Sequence, residues 1–292
     1  MTILSVFHRT QYSYAKPVRF GDHRLMMRPR DSHDLRLIDT ALSITPTATV
    51  RWLHDVFGNS VAIATFTEPG AELVVESSFR AEHFPLPAAG VALEESATHY
   101  PFSYDASEIP DLTRTVERHY ADPEHRVDAW ARHFVEQQHD GDTLAILKAM
   151  VAAIKSEFTY NPRDEMGTQD PLETMESGTG TCRDFALFLM EAARSLGLAA
   201  RFVSGYLYDD EQIGDESGMV GGGATHAWAQ IYLPGAGWVE FDPTNGLIGG
   251  RDLIRVAVTR DPKQAIPMSG TFTGATADFL GMTIEVKITA AD

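Results

Sequence analysis

Cysteine is almost absent from this chain: Cys182 is the only one in 292 residues. An internal disulfide is therefore excluded, which fits a reducing compartment. Basic charge is also scarce. Lys and Arg number 24 against 41 Asp and Glu, a formal net charge of -17. Neutralising phosphates needs clustered cations, so no nucleic-acid partner is expected. The acidity favours solubility and cationic or neutral substrates. No apolar run approaches the roughly 18–20 residues of a membrane span. Residues 1–9 lack a basic segment followed by a long apolar stretch and read as a strand, not a signal peptide. No membrane partner is expected, and the expected compartment is cytoplasmic. Internal repeats, low-complexity tracts, H-E-x-x-H and paired-cysteine spacings are missing, so neither a cofactor nor a metal is expected.

What remains is an ordinary globular composition, 43% hydrophobic and 22% charged, enough for a real core. The first hundred residues are β-rich. Leu73, Val75, Ser77 and Phe79 alternate with Val74, Glu76, Ser78 and Arg80, the period of a half-buried strand. Ile38, Leu42 and Ile44 share one face of 35–44, and Phe57-Gly58-Asn59 marks a turn between 50–53 and 61–66. Short strands spaced by turns predict a sandwich or barrel. His8, His23, His33, His54 and His83 are scattered through it and read as structural or solvated.

Pro, Gly and Ala without periodicity follow at 84–110, and helical patterns come next. Val127, Trp130, Ala131 and Phe134 recur at helical spacing. Leu144, Leu147, Met150, Val151, Ile154 and Phe158 form a stronger stripe with Asp142 as its N-cap. Asn161-Pro162 ends that helix. After a polar loop, Phe185, Ala186, Leu189, Ala193 and Leu196 predict a third helix buried on one face, with Gly197 at its C′ position. Strands are predicted at 200–207, 225–233 and 237–241, the last two joined by a hairpin over Pro234-Gly235-Ala236-Gly237. Period 2 returns at 283–289, a strand expected to pair with the N-terminal β region. The predicted class is α+β: an N-terminal β domain (1–85), a linker (86–110), a core (111–265) and C-terminal β strands packing back on the first domain (266–292).

Cys182 opens the third helix after Gly178-Thr179-Gly180-Thr181. A helix N-terminus supplies partial positive charge and free N–H groups that favour a thiolate. Taken alone, such a cysteine reads as a buried structural thiol. A nucleophilic thiol needs a base, and the base needs an orienting acceptor. His226 lies on the predicted 225–233 strand. If the hairpin is centred on Gly235, His226 faces Thr244, and Asp242 is its diagonal neighbour on the same face, within reach of longer side chains. Alone, Asp242 reads as a strand-end Asp before Pro; Asn245 is the less favoured orienter. A zinc site from Cys182, His226 and Asp242 is a formal alternative. The acidic, glycine-rich stretch 209–224 reads as a solvent loop, or as a lid beside the site. It fails EF-hand calcium spacing at Ile213.

Gly-x-Cys-x-Asp-Phe-Ala around Cys182, Ala-Arg-Phe-Val-Ser-Gly-Tyr at 200–206, His-Ala-Trp at 226–228 and Gly-Trp-x-x-Phe-Asp-Pro-Thr-Asn at 237–245 occur in that order. Over roughly 140–250 the chain resembles the bacterial transglutaminase-like superfamily of candidate cysteine proteases. His8-Arg9-Thr10-x-Tyr12-x-Tyr14, His23-Arg24-Leu25 and Arg28-Pro29-Arg30 resemble the β domain that precedes this core. The resemblance implies a papain-like core, a Cys-bearing helix on an antiparallel sheet. It also implies Cys182 as nucleophile, His226 as general base and acid, and Asp242 as orienter. The implied activity is attack on peptide or glutamine carboxamide bonds of a peptide or protein substrate through a thioester. The thioester is resolved by water, or alternatively by an amine; a non-catalytic interaction module is the other reading. The chain departs from the animal enzymes of the superfamily in having no Trp between Trp130 and Trp228, and Arg183 where they carry Trp after Cys. The Cys182 N–H is the expected oxyanion donor, with Tyr160 a candidate for the second.

Overall fold

The computed structural model describes residues 2–85, 87–163, 167–208 and 224–291. The stretch expected to form a solvent loop or lid lies outside the described residues except for Ala224. The first region comprises β1 (Thr2–Phe20), β2 (His23–Leu25), β3 (Leu35–Thr45), β4 (Ala48–His54), β5 (Ser60–Phe66) and β6 (Gly70–His83). Next come α1 (Ile109–Val116), α2 (Arg126–Gln137), α3 (Thr143–Glu157), β7 (Thr159–Tyr160), α4 (Pro171–Ser177), β8 (Thr179–Gly180) and α5 (Cys182–Ser195). They are followed by β9 (Ala200–Leu207), β10 (Thr225–Leu233), β11 (Gly237–Asp242), β12 (Leu247–Ile248) and β13 (Leu253–Thr259). The last strands are β14 (Met268–Ser269), β15 (Phe272–Thr273) and β16 (Phe279–Ala291).

Two sheets form the β-sandwich, and each combines early and late strands. One runs β15-β1-β6-β3 with β16 also on β1, and the other runs β14-β2-β5-β4. Their facing apolar positions meet: Tyr14, Val18, Phe20, Leu73 and Val75 pack against Leu25, Ala62, Ala64 and Met268. Burying each large side chain of this kind stabilises by about 1.5–3 kcal/mol. The expected C-terminal strand is present, antiparallel to β1 from Leu4↔Ala290 to Tyr14↔Phe279.

The second unit is a five-stranded antiparallel sheet, β12-β11-β10-β9-β13, with helices packed around α5. Asp142 caps α3, its carboxylate accepting from the Ala145 amide at 2.9 Å. For α5 the one-face expectation is too narrow, because every residue from Asp184 to Arg194 is buried. Glu191 and Arg194 resemble solvent-facing charges in the sequence. Instead they pair at 2.8 Å inside the protein, and Arg194 also donates to the Ala200 and Arg260 carbonyls at 2.8 Å each. Such pairing is what makes buried charge tolerable. Strand β13 gives no clean alternation because both its faces are covered, Leu253, Ile254, Val256 and Ala257 all being buried. Ala88–Gly90 and Glu95–Ala97 form two short 3-10 turns, and Val91, Leu93, Tyr100 and Phe102 pack on the helical core.

Sandwich and core meet through Leu4, Val6, Leu35, Phe79 and Val286 on one side and Tyr206, Ile254 and Val256 on the other. Arg255 adds a polar tie, reaching Asp34 at 3.0 Å and Glu240 at 2.9 Å.

Candidate active site

The approach to Cys182 is fixed by backbone geometry. Gly178 ends α4 with φ 61°, a left-handed conformation that favours glycine. Thr159 and Tyr160 of β7 then pair in parallel with Thr179 and Gly180 of β8. At the start of α5 the Asp184 carboxylate accepts from the Thr181 amide and hydroxyl, both at 2.8 Å. It also takes a bidentate bond from Arg163 at 2.6 and 2.8 Å and the Gln169 amide at 2.7 Å. Five donors on one buried carboxylate hold this turn in place, and with it the sulfur.

The hairpin supplies the imidazole. Gln230 pairs with Glu240 and Ala229 with Phe241, a register that continues to His226 opposite Thr244 and puts Asp242 on the diagonal. His226 Nε2 lies 2.8 Å from Asp242 Oδ2. Asp242 is fully buried and also accepts from the Thr244 amide at 2.9 Å and from Asn245 Nδ2 at 2.9 Å. Burial alone would raise its pKa, but His226 and these donors hold it below the usual carboxylate range. Burial likewise opposes charge on His226. The Asp242 carboxylate, helped by Cys182, outweighs it and pushes the imidazole up to about 10. The other ring nitrogen, Nδ1, is buried and has no hydrogen bond of standard geometry. Burial and the neighbouring Cys182 thiol push the Tyr160 phenol up to about 12, so its hydroxyl stays protonated.

Cys182 and His226 open into a cavity of about 730 Å³. Thr181, Arg183 and Thr225 line its core side, and His8, Thr10, Tyr12, Met282 and Ile284 line its sandwich side. Arg183 stacks its guanidinium 4.9 Å above the Phe202 ring and donates to the Pro262 carbonyl at 2.8 Å. Among the described residues, no three His, Cys, Asp or Glu side chains group to hold a metal ion. Asp242 occupies Nε2, so the three residues considered for zinc do not converge on one point. Among the described residues, no helix is long and apolar enough to cross a membrane.

A further set of residues escaped the sequence reading. Trp228 stacks on His226 with ring centroids 6.0 Å apart. Its indole N–H donates to Glu240 at 2.8 Å, and Gln230 donates to the same carboxylate at 2.6 Å. Glu240 takes its charge partner from Arg255, which also binds Asp34 in the sandwich. The signal was available: His226, Trp228 and Gln230 alternate along one strand, Glu240 and Asp242 along its partner. Each acid lies diagonal to a residue it binds. Gly205 pairs opposite His226; a Cβ there would sit 2.1 Å from the Ile254 carbonyl oxygen and 2.7 Å from the Trp228 ring, so only glycine fits.

A thiol at a helix start, facing a carboxylate-bound imidazole on an antiparallel sheet, has the architecture of a transglutaminase-like core. The sequence model for the bacterial transglutaminase-like N-terminal region matches residues 4–82, and that for the transglutaminase-like superfamily matches residues 128–243. The chain belongs to the transglutaminase-like superfamily and carries the N-terminal region of its bacterial members. An uncharacterized Mycobacterium tuberculosis protein is 28% identical over 303 residues, covering 96% of this chain and 91% of its own length. One from Mycobacterium leprae is 26% identical over 291 residues, covering 97% and 98%. The crystal structure of a candidate cysteine protease from Cytophaga hutchinsonii superposes with a TM-score of 0.71 at 17% identity, covering 100% of this chain and 91% of that one. That likeness is one of fold.

Proposed function

We propose that the chain is a thiol hydrolase of peptide or glutamine carboxamide bonds. In this reading Cys182 is the nucleophile, His226 the base and then the acid, and Asp242 the acceptor that orients the ring. The observation that carries it is the 2.8 Å Asp242–His226 bond, which leaves the buried Nδ1 without a partner beside a helix-start thiol.

The chemistry runs in two halves. At rest the thiol proton sits on His226 Nδ1, so the ring is an imidazolium beside the sulfur; the sulfur bonds to the carboxamide carbon, and the carbonyl electron pair moves to oxygen. The Cys182 N–H, free at the first helical position, and the Tyr160 hydroxyl meet that oxyanion. As it collapses the C–N bond breaks, and the leaving nitrogen takes the proton from Nδ1. Water then gives a proton to Nδ1 and bonds to the thioester carbon, and the C–S bond breaks to return the sulfur. Asp242 keeps the ring in place throughout. Water needs no binding site of its own, whereas an amine acceptor does, which favours hydrolysis over amine transfer.

Alkylation by iodoacetamide tests the nucleophile. Cys182 is expected to react fast at pH 7, and His226→Ala should slow it by about 10²–10³-fold, within the range of acid–base catalysis. Product analysis with a glutamine peptide tests the acceptor. Ammonia without amine incorporation, or new peptide termini, supports hydrolysis; incorporation of an added primary amine replaces it with transfer. A folded protein whose thiol reacts only on unfolding sinks both.

A further inference from the structure

On the sandwich side of the cavity, β1 and β16 present one continuous row of side chains. In their antiparallel register His8 pairs with Val286, Thr10 with Ile284, Tyr12 with Met282 and Tyr14 with Phe279. Directly opposed residues point to the same face. At one end the row is sealed against the core: Val286 is 6% exposed and packs with Tyr206 and Ile254. Farther along, it emerges from that interface. Ile284, Met282 and Phe279 are 41%, 42% and 41% exposed, and all three line the cavity that holds Cys182 and His226. Strand β16 has no further strand beside it among the described residues. An aliphatic and aromatic row left open at the end of a buried interface marks a surface with an occupant. Its continuity with the thiol identifies that occupant: whatever chain offers its carboxamide to Cys182 must lie against this row.

We infer that Phe279, Met282 and Ile284 form a specificity wall that selects peptide substrates carrying a large apolar side chain beside the carboxamide that Cys182 attacks. The inference rests on the proposed role of Cys182 and goes beyond it in naming the substrate class. The cavity volume of about 730 Å³ accommodates a short peptide segment. Among the described residues, its lining carries Arg163, Arg183 and Lys263 but no carboxylate. The acidity of the whole chain therefore does not extend to this lining, and selection here works through apolar contact.

The test uses the full chain and tripeptidyl chloromethyl ketones that differ only in the flanking residue, Phe or Leu against Ser or Asp. Capture of Cys182 is followed by mass, with iodoacetamide as a control too small to need the wall. The wild type should prefer the apolar probes by about 10- to 200-fold, the discrimination available from apolar pocket contacts. Met282→Ser with Ile284→Ser should bring that preference below about threefold while leaving the iodoacetamide rate unchanged. Ile284→Thr, which keeps a β-branched strand former, should give an intermediate value and guards against a folding artefact. Fast, His226-dependent iodoacetamide capture with no preference among the peptidyl probes overturns the wall and leaves the thiol assignment standing. Slow iodoacetamide capture by the folded wild type overturns both. If the double variant keeps the preference but loses a dimer in sedimentation, the row is an interface between copies and the wall assignment fails.

Discussion

His226 and His8 line one cavity from its two sides, and both are buried. Their surroundings tune them oppositely. On the core side Asp242 overcomes burial and drives His226 up to about 10. On the sandwich side His8 has only hydroxyl partners, Tyr206 at 2.9 Å and Thr10 at 3.0 Å. Nothing there offsets the desolvation of a cation, and burial pushes His8 down to about 4. Equal burial therefore yields an imidazolium on one wall and a neutral ring on the other; the difference is chiefly the Asp242 carboxylate, helped by Cys182. A charged ring suits proton transfer, whereas a neutral one suits a seam between two units.

Substitution of each histidine is the largest test of this contrast. His226→Ala should abolish turnover by about 10³-fold or more, while His8→Phe should leave iodoacetamide reactivity within about threefold. Equal losses would mean that the two walls do not divide the work as described. Asp242→Asn keeps the shape but removes the anion; turnover should fall about 10²–10⁴-fold, with the His226 pKa dropping in NMR titration. An unchanged His226 titration would break the electrostatic account.

Arg255→Met probes the tie between the walls. It leaves Glu240 and Asp34 without their shared cation; because Arg255 and Asp34 are partly exposed and Glu240 keeps Trp228 and Gln230 as donors, urea unfolding should show a loss of about 1–3 kcal/mol. A loss below about 1 kcal/mol would mean that this ion pair contributes little to joining the two units.

The remaining expected effect is in pH. Folded His8 titrates near 4, while an unfolded histidine titrates near 6.5. Between these values the unfolded chain binds a proton that the folded chain refuses. Its contribution is therefore complete above pH 6.5 and lost on descending to 4, on the order of 3 kcal/mol. His226 has the opposite sign: its folded pKa lies above its unfolded one, so its contribution is complete below pH 6.5 and lost as pH rises through about 10. His8→Phe should flatten the acid side of the stability profile and leave the alkaline side unchanged.

Local chemistry was legible in the sequence. A hairpin centred on Gly235 is enough to bring His226 and Asp242 onto one diagonal, because two strands joined by a short turn inherit their register from it. The cap at Asp142 was legible for the same reason of short range. Non-local features were not. The terminal strand could be assigned to the sandwich, but its register on β1 depends on packing between distant segments. That register is what puts Met282 and Ile284 in the cavity. Glu191 and Arg194 resemble solvent charges until a second helix face is covered, and Glu240 resembles an ordinary strand acid until Arg255 arrives from β13.

Strands β1 and β16 are partners separated by nearly the whole described chain. Closing so long a loop costs more entropy than forming the β10–β11 hairpin, so this pairing belongs late in folding. During synthesis the delay is physical. The helix bearing Cys182 and the hairpin bearing His226 and Asp242 are complete before Phe279, Met282 and Ile284 exist, by roughly 2–10 seconds at ordinary elongation rates. The nascent chain thus acquires its sulfur chemistry first and its discrimination last, and any form cut short before β16 would carry a thiol with no wall to choose what it attacks.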